Sequence, residues 1–175
     1  MRTLFFLISV LSVAAAHAAQ TVFGSTSAQT CYDQATIAPE RSDASACDDA
    51  INKGTLTRVD LAATYSNRGI ILSNTGQLDR AIEDHDAAVK LNPTSARAYV
   101  NRANTLFRAH RYAEALADYD HAIELSAGAL AAAFYNRSFV HLALAQKDAA
   151  RKDLEQAAAL APEVQTYQDA LQTAP

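Results

Sequence analysis

A chain of 175 residues that is 50% hydrophobic and 19% charged is long enough for one folded domain and too apolar to remain disordered. Its formal charge of -4 offers no basic face for phosphates and so argues against a nucleic-acid partner. Five Gly and four Pro, scattered among frequent Ala, Leu, Asp and Glu, leave few β-turn signals and point to an all-α fold.

The start of the chain reads as an export signal. Met1-Arg2 gives a minimal positive start, Leu4 to Ala16 is apolar, and Ala16-His17-Ala18 has the small-x-small form of a peptidase site. The expectation is a leader over residues 1–18, cleaved after Ala18, with the mature chain in the periplasm or outside the cell. The apolar run falls short of the roughly 20 residues needed to span a bilayer, and no later stretch could cross one. In an oxidising compartment the two cysteines, Cys31 and Cys47, read most simply as a disulfide. Metal ligation is the weaker alternative, since no His lies near either cysteine. A redox pair would more often have the close spacing of C-x-x-C.

Residues 19–28 lack periodicity and read as a flexible arm. Residues 29–54 read as an N-terminal capping helix pair, with Pro39 and Glu40 in the first turn of its second helix and Lys53-Gly54 closing it. Thr57 with Asp60 resembles a capping box opening the next helix. In that helix Tyr65-Ser66-Asn67-Arg68-Gly69 begins a series, returning as Tyr99-Val100-Asn101-Arg102-Ala103 and Phe134-Tyr135-Asn136-Arg137-Ser138, at spacings of 34 and then 35 residues. A period of that length marks a helical array whose units bury their apolar faces only against neighbours. Leu61, Tyr65, Gly69 and Leu72 form one stripe, and Leu78, Ala81, His85 and Ala88 form that of the partner helix, which ends at Asn92-Pro93. The second and third units repeat this pattern. Aligning Ala50 with Ala88 places Cys47 on His85 and Cys31 on Gly69, columns that belong to facing helices. Residues 165–175, with Val164, Tyr167 and Leu171 on one face, read as a solvating cap helix.

The pattern of an aromatic early in helix A, a small residue four on, Ala-x6-Ala in helix B and a closing Leu-x-Pro resembles the tetratricopeptide repeat. Residues 62–95 match with Tyr65, Gly69, Gly76, Ala81, Ala88 and Pro93. Residues 96–129 keep Tyr99, Ala115, Tyr119 and Ala122 but have His110 at the turn glycine and Ala127 for the proline. Residues 131–164 keep Phe134, Ala150, Ala157 and Pro162 but have Leu154 for the aromatic and Ala145 for the glycine. The resemblance implies a right-handed superhelix of antiparallel helix pairs, whose A helices line a concave groove that binds peptides or protein segments.

At about 100° per residue with Tyr65 at zero, Gly69 lies at about 40° and Asn67 at about 200°, away from its helix partner. Asn67, Asn101 and Asn136 thus form a ladder of carboxamides, each able to donate to and accept from an extended backbone. In this the chain resembles the tetratricopeptide domain of O-linked N-acetylglucosamine transferase, where an asparagine ladder holds peptide backbone. The alternative is that these Asn merely stitch successive A helices together. Other groove candidates are Ser66, Ile70, Asn74, Asn104 and Phe107, with Arg97 and Arg108 as groove charges and Tyr135 and Phe139 as an aromatic end. Tyr135 and Phe139 could instead pack on the cap helix. Arg68, Arg102 and Arg137 are each followed 16 residues later by Asp84, Asp118 and Asp153, a constant offset that suggests ion pairs clamping helix A to helix B.

The His residues show no i, i+4 ligand pair, and no phosphate loop, nucleophile elbow or H-E-x-x-H motif is present. The reading is therefore a non-enzymatic interaction scaffold for an unidentified protein or peptide partner, without cofactor. Thiol redox chemistry at Cys31 and Cys47, and self-assembly as a homo-oligomeric envelope component, are the alternatives.

Overall fold

The computed structural model describes residues 26–37, 39 and 43–174, so the leader and most of the arm fall outside the described residues. Those residues form nine helices: α1 (Ser27–Ile37), α2 (Ser45–Asn52), α3 (Arg58–Asn74), α4 (Leu78–Leu91), α5 (Ala96–Arg108), α6 (Tyr112–Leu125), α7 (Ala131–Ala143), α8 (Lys147–Leu160) and α9 (Gln165–Thr173). No strand occurs among them, and no helix is long and apolar enough to cross a membrane. The fold is an all-α solenoid. Helices α3/α4, α5/α6 and α7/α8 pack as pairs, and successive A helices α3, α5 and α7 also touch one another.

Local sequence sets each boundary. Thr57 accepts from Asp60 N–H and donates its hydroxyl to the Asp60 carboxylate, and Ser95 accepts from Ala98 N–H, so both A helices begin on a satisfied cap. The three A–B turns share one form. Gly76, His110 and Ala145 take positive φ of 83°, 59° and 58°, and the following N–H reaches back to Leu72, Leu106 and His141 carbonyls respectively. Helix α6 ends differently, through Ala127 and Gly128 at φ of 51° and 76°. Its connection to α7 is one residue longer than that between α4 and α5, which accounts for the 35-residue spacing.

Packing is continuous across units. Ile82 from the first pair, Val100, Ala103, Leu106, Ala115, Tyr119 and Ala122 from the second, and Ala133 and Val140 from the third form one buried cluster. Each pair therefore completes its core with its neighbours. Small residues set the approach of A to B. Ala103 and Ser138 are fully buried, as are Ala122 and Ala157, and a Cβ built on Gly69 would lie 2.6 Å from His85 Cε1.

The N-terminal pair departs from the sequence expectation in two places. Helix α1 starts at Ser27, two residues inside the expected arm, and Thr26 Oγ1 accepts the Gln29 N–H at that end. The second helix begins at Ser45 rather than at Pro39, Glu40 lying outside the described residues, and the Asp43 carboxylate accepts from both the N–H and the hydroxyl of Ser45 at that end. These two bonds also hold the Asp43 carboxyl below the usual carboxylate range. Cys31 and Cys47 are bonded, with Cα atoms 4.8 Å apart, and both are fully buried with Ala35 against Ile71 of α3.

Candidate interaction groove

Asn67 and Asn101 line one cleft along the A helices and Asn136 another, and two of the three use part of their hydrogen-bonding capacity between repeats. Asn101 Nδ2 donates to Ser66 Oγ at 2.9 Å, and Asn136 Nδ2 donates to Asn104 Oδ1 at 2.9 Å. The stitching that the sequence left as an alternative therefore exists at both junctions. It takes one N–H of each carboxamide: Asn101 and Asn136 retain the second N–H and a carboxamide oxygen able to accept a backbone N–H. Among the described residues Asn67 makes no side-chain hydrogen bond to another helix, and it lines two adjoining clefts, one with Arg97, Asn101 and Ile70, the other with Tyr32 and Asp60. Arg97 is solvent-exposed on the first of these.

Farther along, a cleft of about 270 Å³ is lined by Asn104, Phe107, Arg108, Tyr119, Asn136 and Phe139. Tyr119 donates its hydroxyl to Asn104 Oδ1 at 2.5 Å, and its own ionisation is pushed well above the usual phenol range by burial and by Asp118. Arg108 also borders the polar stretch with Asn74 and Asn101, and donates to Asn74 Oδ1 at 3.1 Å. Phe139 is 37% exposed, whereas Tyr135 is half-buried with its ring 4.6 Å from Tyr167 of α9 and 4.9 Å from Phe139. Tyr135 packs against the cap helix and against Phe139, and the aromatic rings that line this cleft are Phe107, Tyr119 and Phe139.

The arginines of the repeated motif face elsewhere. Each is bidentate to the Asp 16 residues on, with Nε and Nη2 at 2.7 Å for Arg68–Asp84 and Arg102–Asp118, and at 2.9 and 2.6 Å for Arg137–Asp153. The third nitrogen reaches a second carboxylate on the preceding helix pair: Arg68 to Asp48, Arg102 to Asp86, and Arg137 to Asp120. Each guanidinium also lies over the aromatic ring three residues earlier, 5.4 to 5.5 Å from the centroids of Tyr65, Tyr99 and Phe134. Hydrogen bonds to the flanking Asp pairs raise the affinity of all three guanidinia for their protons. These cations are structural and neutralised, and they are not groove charges. Asp48, Asp86 and Asp120 went unrecognised in the sequence, although Asp84-x-Asp86 and Asp118-x-Asp120 repeat at the period.

His85 is fully buried and neither ring nitrogen has a hydrogen-bond partner. Burial, aided by Arg102, lowers its pKa to about 4. His141, read as a core residue, is half-buried and bonded through Nδ1 to Gln146. No cluster of residues able to hold a metal ion occurs among the described residues.

Three tetratricopeptide repeat models match this chain, over residues 61–92, 96–128 and 131–164, together more than half of it. Among curated proteins it is similar to DnaJ homolog subfamily C member 7 of Homo sapiens, 44% identical over 59 residues that cover 34% of this chain and 12% of the relative. It is also similar to tetratricopeptide repeat protein 36 of Homo sapiens, 36% identical over 96 residues covering 53% and 51%. The chain thus spans about half of these relatives or less. Among solved structures, the first TPR of Spaghetti (RPAP3) bound to HSP90 peptide SRMEEVD superposes with a TM-score of 0.62 at 24% identity, covering 65% of this chain and 92% of that one. The crystal structure of MamA protein superposes at 0.65 with 20% identity, covering 85% and 80%. At these identities the likeness is one of fold. The repeat motifs, the stacked helix pairs and the three matched models place this chain in the tetratricopeptide repeat family.

Proposed function

We propose that this chain is a non-enzymatic interaction scaffold that holds an extended peptide or protein segment along the A-helix groove. The carrying observation is the row Asn67, Asn101 and Asn136, each with carboxamide capacity left after the inter-repeat bonds are made. Polar groups that line a groove at one repeat per step suit the backbone of an extended segment, whose N–H and C=O groups recur regularly. The RPAP3 domain, which carries a peptide in its structure, supports this use of the fold. We propose further that the protein works outside the cytoplasm, a reading supported by the Cys31–Cys47 bridge. The complete burial of both sulfurs favours a structural role for the bridge over thiol exchange.

The test uses peptides enriched on the full-length mature chain from a random display library. Asn67→Ala, which removes no bond to the described residues, combined with Asn101→Ala is expected to weaken those peptides at least tenfold with unchanged circular dichroism. Undiminished binding, or enriched peptides that crosslink to the outer face of α4, α6 and α8, would sink the groove.

A further inference from the structure

At its N-terminal end the molecule presents an apolar surface that no described residue covers. Tyr32 of α1 is 49% exposed and Val59 of α3 is 62% exposed, and Ala63, one turn after Val59, is exposed as well. Tyr32, Ala63 and Asn67 line both of the adjoining clefts at this end, whose volumes are about 370 and 350 Å³. Among the described residues the Asn67 side chain makes no hydrogen bond to another helix, whereas Asn101 and Asn136 each give an N–H to the preceding A helix. Thr26, through which the chain enters α1, itself lines the second cleft with Gln29, Leu56 and Asp60. The residues that precede Thr26 therefore start on the rim of this cleft.

We propose that residues 19–25 fold back into these clefts as an intramolecular strap, with Phe23 against Tyr32 and Ala63 and the backbone of Gln20 to Val22 on the Asn67 carboxamide. The composition of Ala19-Gln20-Thr21-Val22-Phe23-Gly24-Ser25 suits the place: it has no charged side chain, two adjacent large apolar residues, and a glycine at which the chain can reverse before α1. The lengths agree. Tyr32 stands about 9 Å along the helix axis from Thr26, and the chain from Phe23 to Thr26 spans at most about 10 Å. The two side chains bridge what the reversal at Gly24 takes up. Gln20 to Val22 add up to about 10 Å more, the rise of α3 from Asp60 to Asn67. There the Asn67 carboxamide can accept a backbone N–H of the strap and donate to a C=O. A tether this short holds its segment at an effective concentration in the millimolar range, which a second copy supplying the same residues from solution does not match. The consequence is competition at one end: the strap occupies the clefts at Asn67 and leaves the cleft at Phe107 and Phe139 open. The strap goes beyond the groove reading, since it needs no outside ligand.

The experiment compares two isotope-labelled mature chains, one with the natural arm and one carrying Val22→Ser and Phe23→Ser. In the natural chain the Phe23 ring is expected to show nuclear Overhauser contacts to the Ala63 methyl and the Tyr32 ring. The Asn67 side-chain amide signal is expected to differ between the two chains, while that of Asn136 holds still. Peptides enriched on the double variant from a random display library are expected to bind the natural chain about tenfold more weakly, as a strap closed about nine-tenths of the time requires. Absence of the Phe23 contacts with an unmoved Asn67 signal overturns the strap. Contacts that arise only between differently labelled copies overturn it too, since the arm then docks on a second molecule. Enriched peptides that bind both chains alike and move Asn67 and Asn101 leave the groove reading standing without the strap. Phe23 contacts in the natural chain, with no peptide moving any Asn signal, leave the strap standing and remove the groove reading.

Discussion

The imidazole of His85 lies flat against the bare Cα of Gly69, so closely that a methyl group there would come within 2.6 to 2.9 Å of three ring atoms. The same two columns, 16 residues apart, hold Ala103 with Tyr119, Ser138 with Leu154, and in the capping pair the bonded cysteines 31 and 47. One geometric slot between helices A and B is therefore filled four ways, three by packing and one by a covalent bond.

Gly69→Ala should destabilise the chain by about 2 kcal/mol, the usual range for an inserted methyl in a filled core. Combining it with His85→Leu, which recreates the small-and-Leu pairing of Ser138 and Leu154, should recover most of that loss. Chemical denaturation of the two single variants and the double variant measures the coupling; additive effects would contradict a direct clash.

The buried imidazole also predicts how stability depends on pH. Its folded pKa of about 4 lies below the unfolded value of 6.5, so the unfolded chain takes up the proton first. The stability it allows is complete above pH 6.5 and is lost as pH falls from there towards 4, by up to about 3 kcal/mol. Melting temperatures of the wild type and of His85→Leu measured from pH 7.5 to 4.5 should diverge below pH 6.5, the wild type falling faster.

The bridging arginines separate a costly contact from a cheap one. Arg102→Met leaves the nearly buried Asp118 without its bidentate partner and should cost about 3 kcal/mol. Asp86→Ala removes the exposed arm of the same bridge, with Asp86 57% exposed, and should cost less than about 1 kcal/mol. Urea midpoints of the two variants test the ranking, which reverses if the inter-repeat arm dominates.

Opening the Cys31–Cys47 bond, by reduction or as Cys31→Ala with Cys47→Ala, should lower stability by about 3 kcal/mol for a loop of this size. Amide exchange should accelerate first in α1 and α2. Tyr32 of α1 walls the cleft shared with Asn67, so binding at that end should weaken while the cleft at Phe107 and Phe139 is untouched.

The repeated elements were legible because a fixed period converts each column into a position in space: Gly69, Asn101 and the Arg–Asp offset of 16 needed only the helix angle. What escaped depended on contacts between units or on single local bonds. Asp86 and Asp120 pair with an arginine of the next unit, a relationship that the angles within one helix pair do not show. Asp43 meets Ser45 with two bonds at the start of α2, and Tyr167 packs on Tyr135. The half-occupied carboxamides of Asn101 and Asn136 combined two readings that the sequence had set against each other.

Each arginine holds its own helix pair with one edge and grips the preceding pair with the other, so the mechanical unit of the molecule is out of phase with the unit of sequence. A cut drawn between repeats, at Ser95 for instance, runs through the joint between Arg102 and Asp86 and through the shared apolar cluster, while Arg102 keeps Asp118. Fragments made at the sequence boundaries should expose apolar surface that the neighbouring pair covers, and unravelling should start at the termini, where only one joint has to open.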